Sequence, residues 1–179
     1  MSRIGKKSIL IPAGVEVSIN ENLIKVKGPK GELERETRPE ISVTKDDKEI
    51  TVKPYKENKR NSAFWGLTRT LISNMVQGVT EGYKTNLQIE GVGYRAALEG
   101  KDLVFQVGFS HPVRVTPPDG VTFGVEKNIV SVSGINKELV TQTAAEIKRI
   151  KPPEPYKGKG IRYEGEIIKK KVGKKAAGK

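Results

Sequence analysis

Cations alternate with aromatic rings, spaced by proline and glycine, along Pro152-Pro153-Glu154-Pro155-Tyr156-Lys157-Gly158-Lys159-Gly160-Ile161-Arg162-Tyr163-Glu164-Gly165-Glu166. Cations pair with phosphates and aromatic faces stack on bases or ribose, so this composition suits RNA. The prolines fix the approach of the chain, and the glycines let backbone come close to a partner. A disordered spacer has no need for Tyr156, Ile161 and Tyr163 at these positions. The lysine runs that follow, Lys169-Lys170-Lys171 and Lys174-Lys175, read instead as solvated charge.

No other cluster supports catalysis or cofactor binding. The single histidine, His111, precedes Pro112 in a turn between strands and lacks a partner for proton transfer. Gly158-Lys159-Gly160 lacks the spacing of a phosphate loop, and no Ser or Thr follows its lysine to hold a metal. Gly91-Val92-Gly93 lacks the third glycine of a dinucleotide fingerprint and leads from strand to strand. With Tyr94 and Arg95 it reads either as a bend at a strand start or as a second RNA approach, with Arg95 on a phosphate. Asp46, Asp47 and Glu49 form a solvated hairpin turn. The absence of cysteine excludes disulfides, thiolate zinc sites and a cysteine nucleophile. These residues point away from an enzyme, a metal site, a cofactor and a small-molecule substrate.

Charge points to the same segment. Residues 148–179 carry twelve Lys and Arg against three acids, which is +9 of the chain's +12. Residues 83–147 are nearly neutral, and residues 1–82 hold +4. A polyanion is the expected partner, and nucleic acid fits better than a membrane surface. The N-terminus has only three consecutive apolar residues before Pro12, and no apolar run reaches 18 residues, so a cytoplasmic protein is expected. Arg3, Lys6 and Lys7 around Gly5 form a basic N-terminal arm that serves either solubility or RNA contact. Arg60 and Arg69 flank a helix and face either water or phosphate.

The elements that must position these groups are short strands and two helices. Period-two apolar patterning marks strands from Val15 to Val52 and again from Leu87 to Val132. Phe64, Leu67, Leu71, Met75 and Val79 follow helical spacing, with Trp65 in the same core and a stop near Gly78. Val140, Thr143, Ala144, Ile147 and Ile150 do likewise, after a cap at Asn136 and before Pro152. Two internal registers compete. A shift of 106 matches eight of 22 positions but leaves the first helix unpaired. A shift of 80 sets 23–28 on 103–108 and 50–52 on 130–132, and it also pairs helix with helix. A repeat must preserve its packing unit, so the shift of 80 is preferred. The expected fold is α+β: two tandem duplicated domains, each a small antiparallel sheet covered by one helix, with a basic C-terminal extension. Their expected bounds are 1–82, 83–151 and, for the extension, 152–179.

The segment 153–163 resembles the signature of the bacterial-type ribosomal protein six family of the large subunit. Residues 1–7, 26–31, 91–95 and 107–112 resemble the same family in the same order. The resemblance implies two duplicated domains. It also implies binding to large-subunit ribosomal RNA near the sarcin–ricin loop and the elongation-factor site, alongside other large-subunit proteins and without homo-oligomers. By match to the signature, Lys157, Lys159, Arg162 and Tyr163 face RNA, while Tyr156, Gly158 and Gly160 shape the loop. Arg149, Lys151, Lys169, Lys170 and Lys171 extend that surface. Arg3, Lys6, Lys7, Arg60, Arg69 and Arg95 are secondary candidates. A translation factor or RNA chaperone that binds transiently is the alternative, although aromatics at 6% are sparse for stacking platforms.

Overall fold

The computed structural model describes residues 2–46, 48–56 and 58–171; Asp47 of the expected hairpin turn and Lys174 and Lys175 of the tail lie outside the described residues. The chain divides into two compact units, Met1–Tyr83 with Ile135–Lys137, and Lys84–Gly134 with Glu138–Lys179.

In the first half, short alternating runs form β1 (Ile9–Leu10), β2 (Glu16–Asn20), β3 (Leu23–Gly28), β4 (Gly31–Glu36), β5 (Ile41–Lys45) and β6 (Glu49–Pro54). They make two antiparallel sheets, ordered β1-β6-β5 and β2-β3-β4. Helix α1 (Lys59–Thr80) packs on β1, β3, β4, β5 and β6. The Asn58 side chain caps it by accepting from the Asn61 N–H at 2.7 Å, which satisfies a donor the helix start leaves unpaired. Its stripe of Trp65, Ile72, Met75, Val76 and Val79 is buried against Ile24, Val26, Ile50 and Val52. Each such aliphatic side chain contributes about 1.5–3 kcal/mol when fully buried.

Helix α1 ends at Thr80, close to the stop expected near Gly78, although Gly78 itself is helical. An added Cβ on Gly78 would collide with the Ile135 carbonyl. The turn comes after Glu81, at Gly82, whose φ of +75° suits the left-handed position beyond a helix end.

The second half repeats the plan with β7 (Tyr83–Glu90), β8 (Arg95–Glu99), β9 (Asp102–Gln106), β10 (Val113–Val115), β11 (Val121–Glu126) and β12 (Ile129–Gly134). Helix α2 (Lys137–Ile150) follows and buries Val140, Thr143, Ala144 and Ile147. The sheets run β10-β9-β8 and β11-β12-β7-β13, the last strand being β13 (Gly160–Tyr163). A displacement of 80 residues lays β6 on β12 and the sheet β1-β6-β5 on β7-β12-β11. The fold is α+β and duplicated, and each repeat divides its strands between two small sheets.

β13 has no counterpart among the described residues of the first repeat, and it makes part of the expected basic C-terminal extension a strand of the second repeat's sheet. It pairs antiparallel with β7, from Gly160 opposite Glu90 to Tyr163 opposite Leu87, and Ile161 is fully buried. The cations around it attracted attention, but Ile161 falls on the inward side of an edge strand and joins the core.

Candidate nucleic-acid interface

The basic segment is built outward from the end of α2. Lys148 and Arg149 occupy the last helical turn, where positive charge offsets the partial negative charge of unpaired carbonyls. Pro152 cannot continue the helix, and the chain turns. Residues 154–159 then close a loop through two backbone bonds, Gly158 N–H to the Glu154 carbonyl at 3.0 Å and Glu154 N–H to the Lys159 carbonyl at 2.8 Å. Gly160 brings the chain back over its own start. Its φ is +145°, and an added Cβ would lie 2.7 Å from the Pro152 carbonyl oxygen and the Pro153 Cα. Only glycine fits that crossing. Ile161 N–H donates to the Lys151 carbonyl at 2.8 Å, and the β7 ladder begins there.

Beyond β13 the chain reverses again. The Glu166 carboxylate accepts from the Tyr163 N–H at 3.0 Å and from Lys148 Nζ at 2.6 and 2.8 Å. The Lys148 hydrogen bond, followed by that from Tyr163, holds the Glu166 carboxyl below its usual range. Lys148 Nζ also sits 4.7 Å from the centre of the Tyr163 ring. Lys171 N–H donates to the Pro155 carbonyl at 2.8 Å, so residues 169–171 return beside the 154–159 loop. Lys170 comes close to Gly158.

The candidate residues therefore separate into two groups. Arg149, Tyr156, Lys157, Lys169, Lys170 and Lys171 are exposed, and Lys151 and Lys159 are half-buried. None of these cations forms an ion pair among the described residues. Arg162 differs: its side chain is 23% exposed, and its guanidinium pairs with Glu90 and donates to Gln88 Oε1 at 3.3 Å. Its side chain is built into the strand pair, as is the Tyr163 ring beneath Lys148. Gly158 and Gly160 are buried and serve the loop's backbone.

The 91–95 loop, which the sequence offered either as a bend or as a second RNA approach, borders this segment together with the 108–111 loop, whose Phe109 sequence reasoning did not single out. The Lys151 ammonium lies 4.9 Å from the centre of the Phe109 ring, which is 45% exposed. The Tyr94 ring packs against Gly91 and Gly108, tying the 91–95 loop to the 108–111 loop. Val92 projects at 91% exposure, and Arg95 is exposed at the start of β8. The signal available was an aromatic residue, Phe109, directly after a glycine in a turn between strands. Together the three loops present cations, an aromatic ring and an aliphatic tip, chemistry that pairs with phosphates and packs on base or sugar faces.

The first-repeat candidates lie elsewhere. The N-terminal arm is a folded turn: Gly5 packs flat on the Trp65 ring and donates its N–H to Ser2 Oγ at 3.1 Å. Arg69 holds the arm down, donating from Nε to the Lys7 carbonyl and from a terminal nitrogen to the Ser8 carbonyl, each at 3.1 Å. Arg69 is thus occupied structurally, whereas Arg3, Lys6 and Lys7 are exposed. Arg60 is exposed at the start of α1, beside the Phe64 ring.

Comparison with known proteins agrees with this layout. The family described as ribosomal protein L6 matches residues 11–82 and 90–164, one segment in each repeat. The large ribosomal subunit protein uL6 of Syntrophomonas wolfei is 54% identical over 180 residues, covering 100% of both chains. That of Salinispora arenicola is 52% identical over 176 residues, covering 97% of this chain and 98% of its own. That of Phenylobacterium zucineum is 52% identical, covering 98% of this chain and 99% of its own. Two matched segments that follow the duplicated fold, with half of all positions identical from end to end, establish that the chain belongs to the ribosomal protein L6 family, whose members are structural rather than enzymatic.

Proposed function

We propose that this protein is a structural constituent of the large ribosomal subunit in the cytoplasm. It binds large-subunit ribosomal RNA through the 151–159 loop, the returning lysines 169–171, Arg149, and the neighbouring 91–95 and 108–111 loops. The observation that carries this reading is a set of cations without ion pairs among the described residues, on a backbone held by strand pairing and loop bonds. Such cations displace counterions from closely packed phosphates without first losing conformational freedom. RNA segments that repel one another are then held together by a fixed pattern of positive charge. In this proposal the contact lies near the sarcin–ricin loop and the elongation-factor site, among other large-subunit proteins. Arg3, Lys6, Lys7, Arg60 and Arg95 are secondary contacts in this proposal, and Arg69, Arg162 and Tyr163 support the surface from within the fold.

The test is sedimentation of large subunits through a high-salt cushion. A structural constituent stays with the particle, whereas a transient translation factor or RNA chaperone is released into the supernatant. Release at moderate salt would overturn the structural reading.

A further inference from the structure

The two repeats differ at one sheet edge. In the second repeat the outer edge of β7 is covered by β13, with Gly160 opposite Glu90 and Ile161 opposite Ile89. With β6 laid on β12, the ladders set Ile89 on Ile11, because the Ile89 N–H donates to the Asn128 carbonyl as the Ile11 N–H donates to that of Lys48, and they set Gln88 on Leu10 of β1. No strand lies on the far side of β1 among the described residues.

The ladder shows which groups are left over. Ile9 lies opposite Ile50, Leu10 opposite Glu49, and the Ile11 N–H donates to the Lys48 carbonyl at 2.9 Å. Antiparallel pairing alternates, so Ile9 and Ile11 bond to β6 while the N–H and carbonyl of Leu10 point outward. The Leu10 side chain is 69% exposed. Beside this edge is a cleft of about 670 Å³, lined in part by Ile9, Ile11, Ser73, Val76 and Gln77. Lys48 and Arg69 also line it, and Glu81 is the acid among its walls.

We propose that this edge and cleft receive an extended segment of another ribosomal protein as an added antiparallel strand. The segment places an aliphatic side chain in the cleft beside Ile11, as Ile161 sits beside Ile89 in the second repeat. It carries a carboxylate two residues away, on the same face of the added strand, toward Lys48 and Arg69. Outward backbone groups and an aliphatic cleft are features a peptide satisfies and a phosphate backbone does not. Arg69 guards the edge in the free protein by occupying the Ser8 carbonyl, and the incoming strand shares or displaces it. Unpaired edges invite self-association, and such a guard suppresses it.

The proposal rests on residence in the large subunit, but its readouts are separate from sedimentation. Hydrogen exchange of the Leu10 amide is compared between the free full-length chain and assembled large subunits. The added strand predicts at least tenfold slower exchange in the subunit; an unchanged rate overturns the proposal. A benzoylphenylalanine at Gln77, exposed on the cleft wall, is then photolysed in assembled subunits. The expected product is a cross-link to a protein segment with an acid two residues from an aliphatic residue. Leu10→Pro, which removes only an outward N–H, should reduce that product at least fivefold, while Leu10→Ala should retain it. A cross-link to RNA or to a second copy of this chain, or a yield indifferent to Leu10→Pro, overturns the proposal.

Discussion

At the scale of single residues, the two glycines of the basic loop have different jobs. Gly160 passes over the backbone of Lys151, Pro152 and Pro153, whereas the nearest atom to a Cβ on Gly158 is the flexible end of Lys170 at 3.6 Å. Gly160→Ala must move backbone, so it should cost about 2 kcal/mol or more, while Gly158→Ala should cost about 1 kcal/mol, from its positive φ alone. Chemical denaturation of the two variants measures the difference, and equal losses would contradict the described crossing. Glu166 provides a second test. Its carboxyl is held below the ordinary range by Lys148 and by the Tyr163 N–H, so the bound form is the charged one. Stability from this contact is present above the ordinary carboxylate range and is lost as pH falls through the lowered folded value. Stability measured against pH should therefore fall more steeply in acid for the wild type than for Glu166→Gln. Both partners are partly exposed, so the contact should be worth only about 0.5–1 kcal/mol near neutrality.

At the scale of elements, β13 changes what the basic segment is. Ile161→Ala removes a fully buried side chain from the second repeat's sheet and should destabilise it by about 2 to 4 kcal/mol. A melting temperature unaffected by this change would return the segment to a mere appendage. The sequence concealed β13 because its four residues are a glycine, one aliphatic residue, a cation and a tyrosine, set in a basic glycine-rich run, so charge masked the one inward aliphatic position. β4 was concealed for a related reason. Its alternation is Glu32, Leu33, Glu34, Arg35, Glu36, with a single aliphatic residue, and it is set by charge across the ladder: Lys25 opposite Glu34, with a 2.9 Å ion pair, and Lys27 opposite Glu32. Hydrophobic periodicity cannot find such a strand. Where apolar residues set the period, in β3, β6, β9, β12 and both helices, the sequence was sufficient. It also showed the loop of Tyr156 to Lys159 as a shaped basic surface. The pairing of Arg162 with Glu90 lay beyond it, because that contact joins positions 72 residues apart.

At the scale of the whole molecule, one duplicated fold carries an unequal charge, with +9 of the net +12 in residues 148–179. In the proposed function the repeats supply supports, and the second repeat's cations that form no ion pair among the described residues supply affinity for RNA. That division is tested most directly by the salt dependence of binding to large-subunit ribosomal RNA. The wild type is compared with a variant combining Lys157→Ala, Lys159→Ala and Lys170→Ala. None of the three lysines forms an ion pair among the described residues, so thermal unfolding should be little changed. Each lost phosphate contact lowers the log–log slope by roughly 0.7 to 0.9, so the triple variant should fall by roughly 2 to 3 and bind more weakly. A folded variant with the wild-type slope and affinity would contradict the account and move the RNA surface elsewhere on the protein.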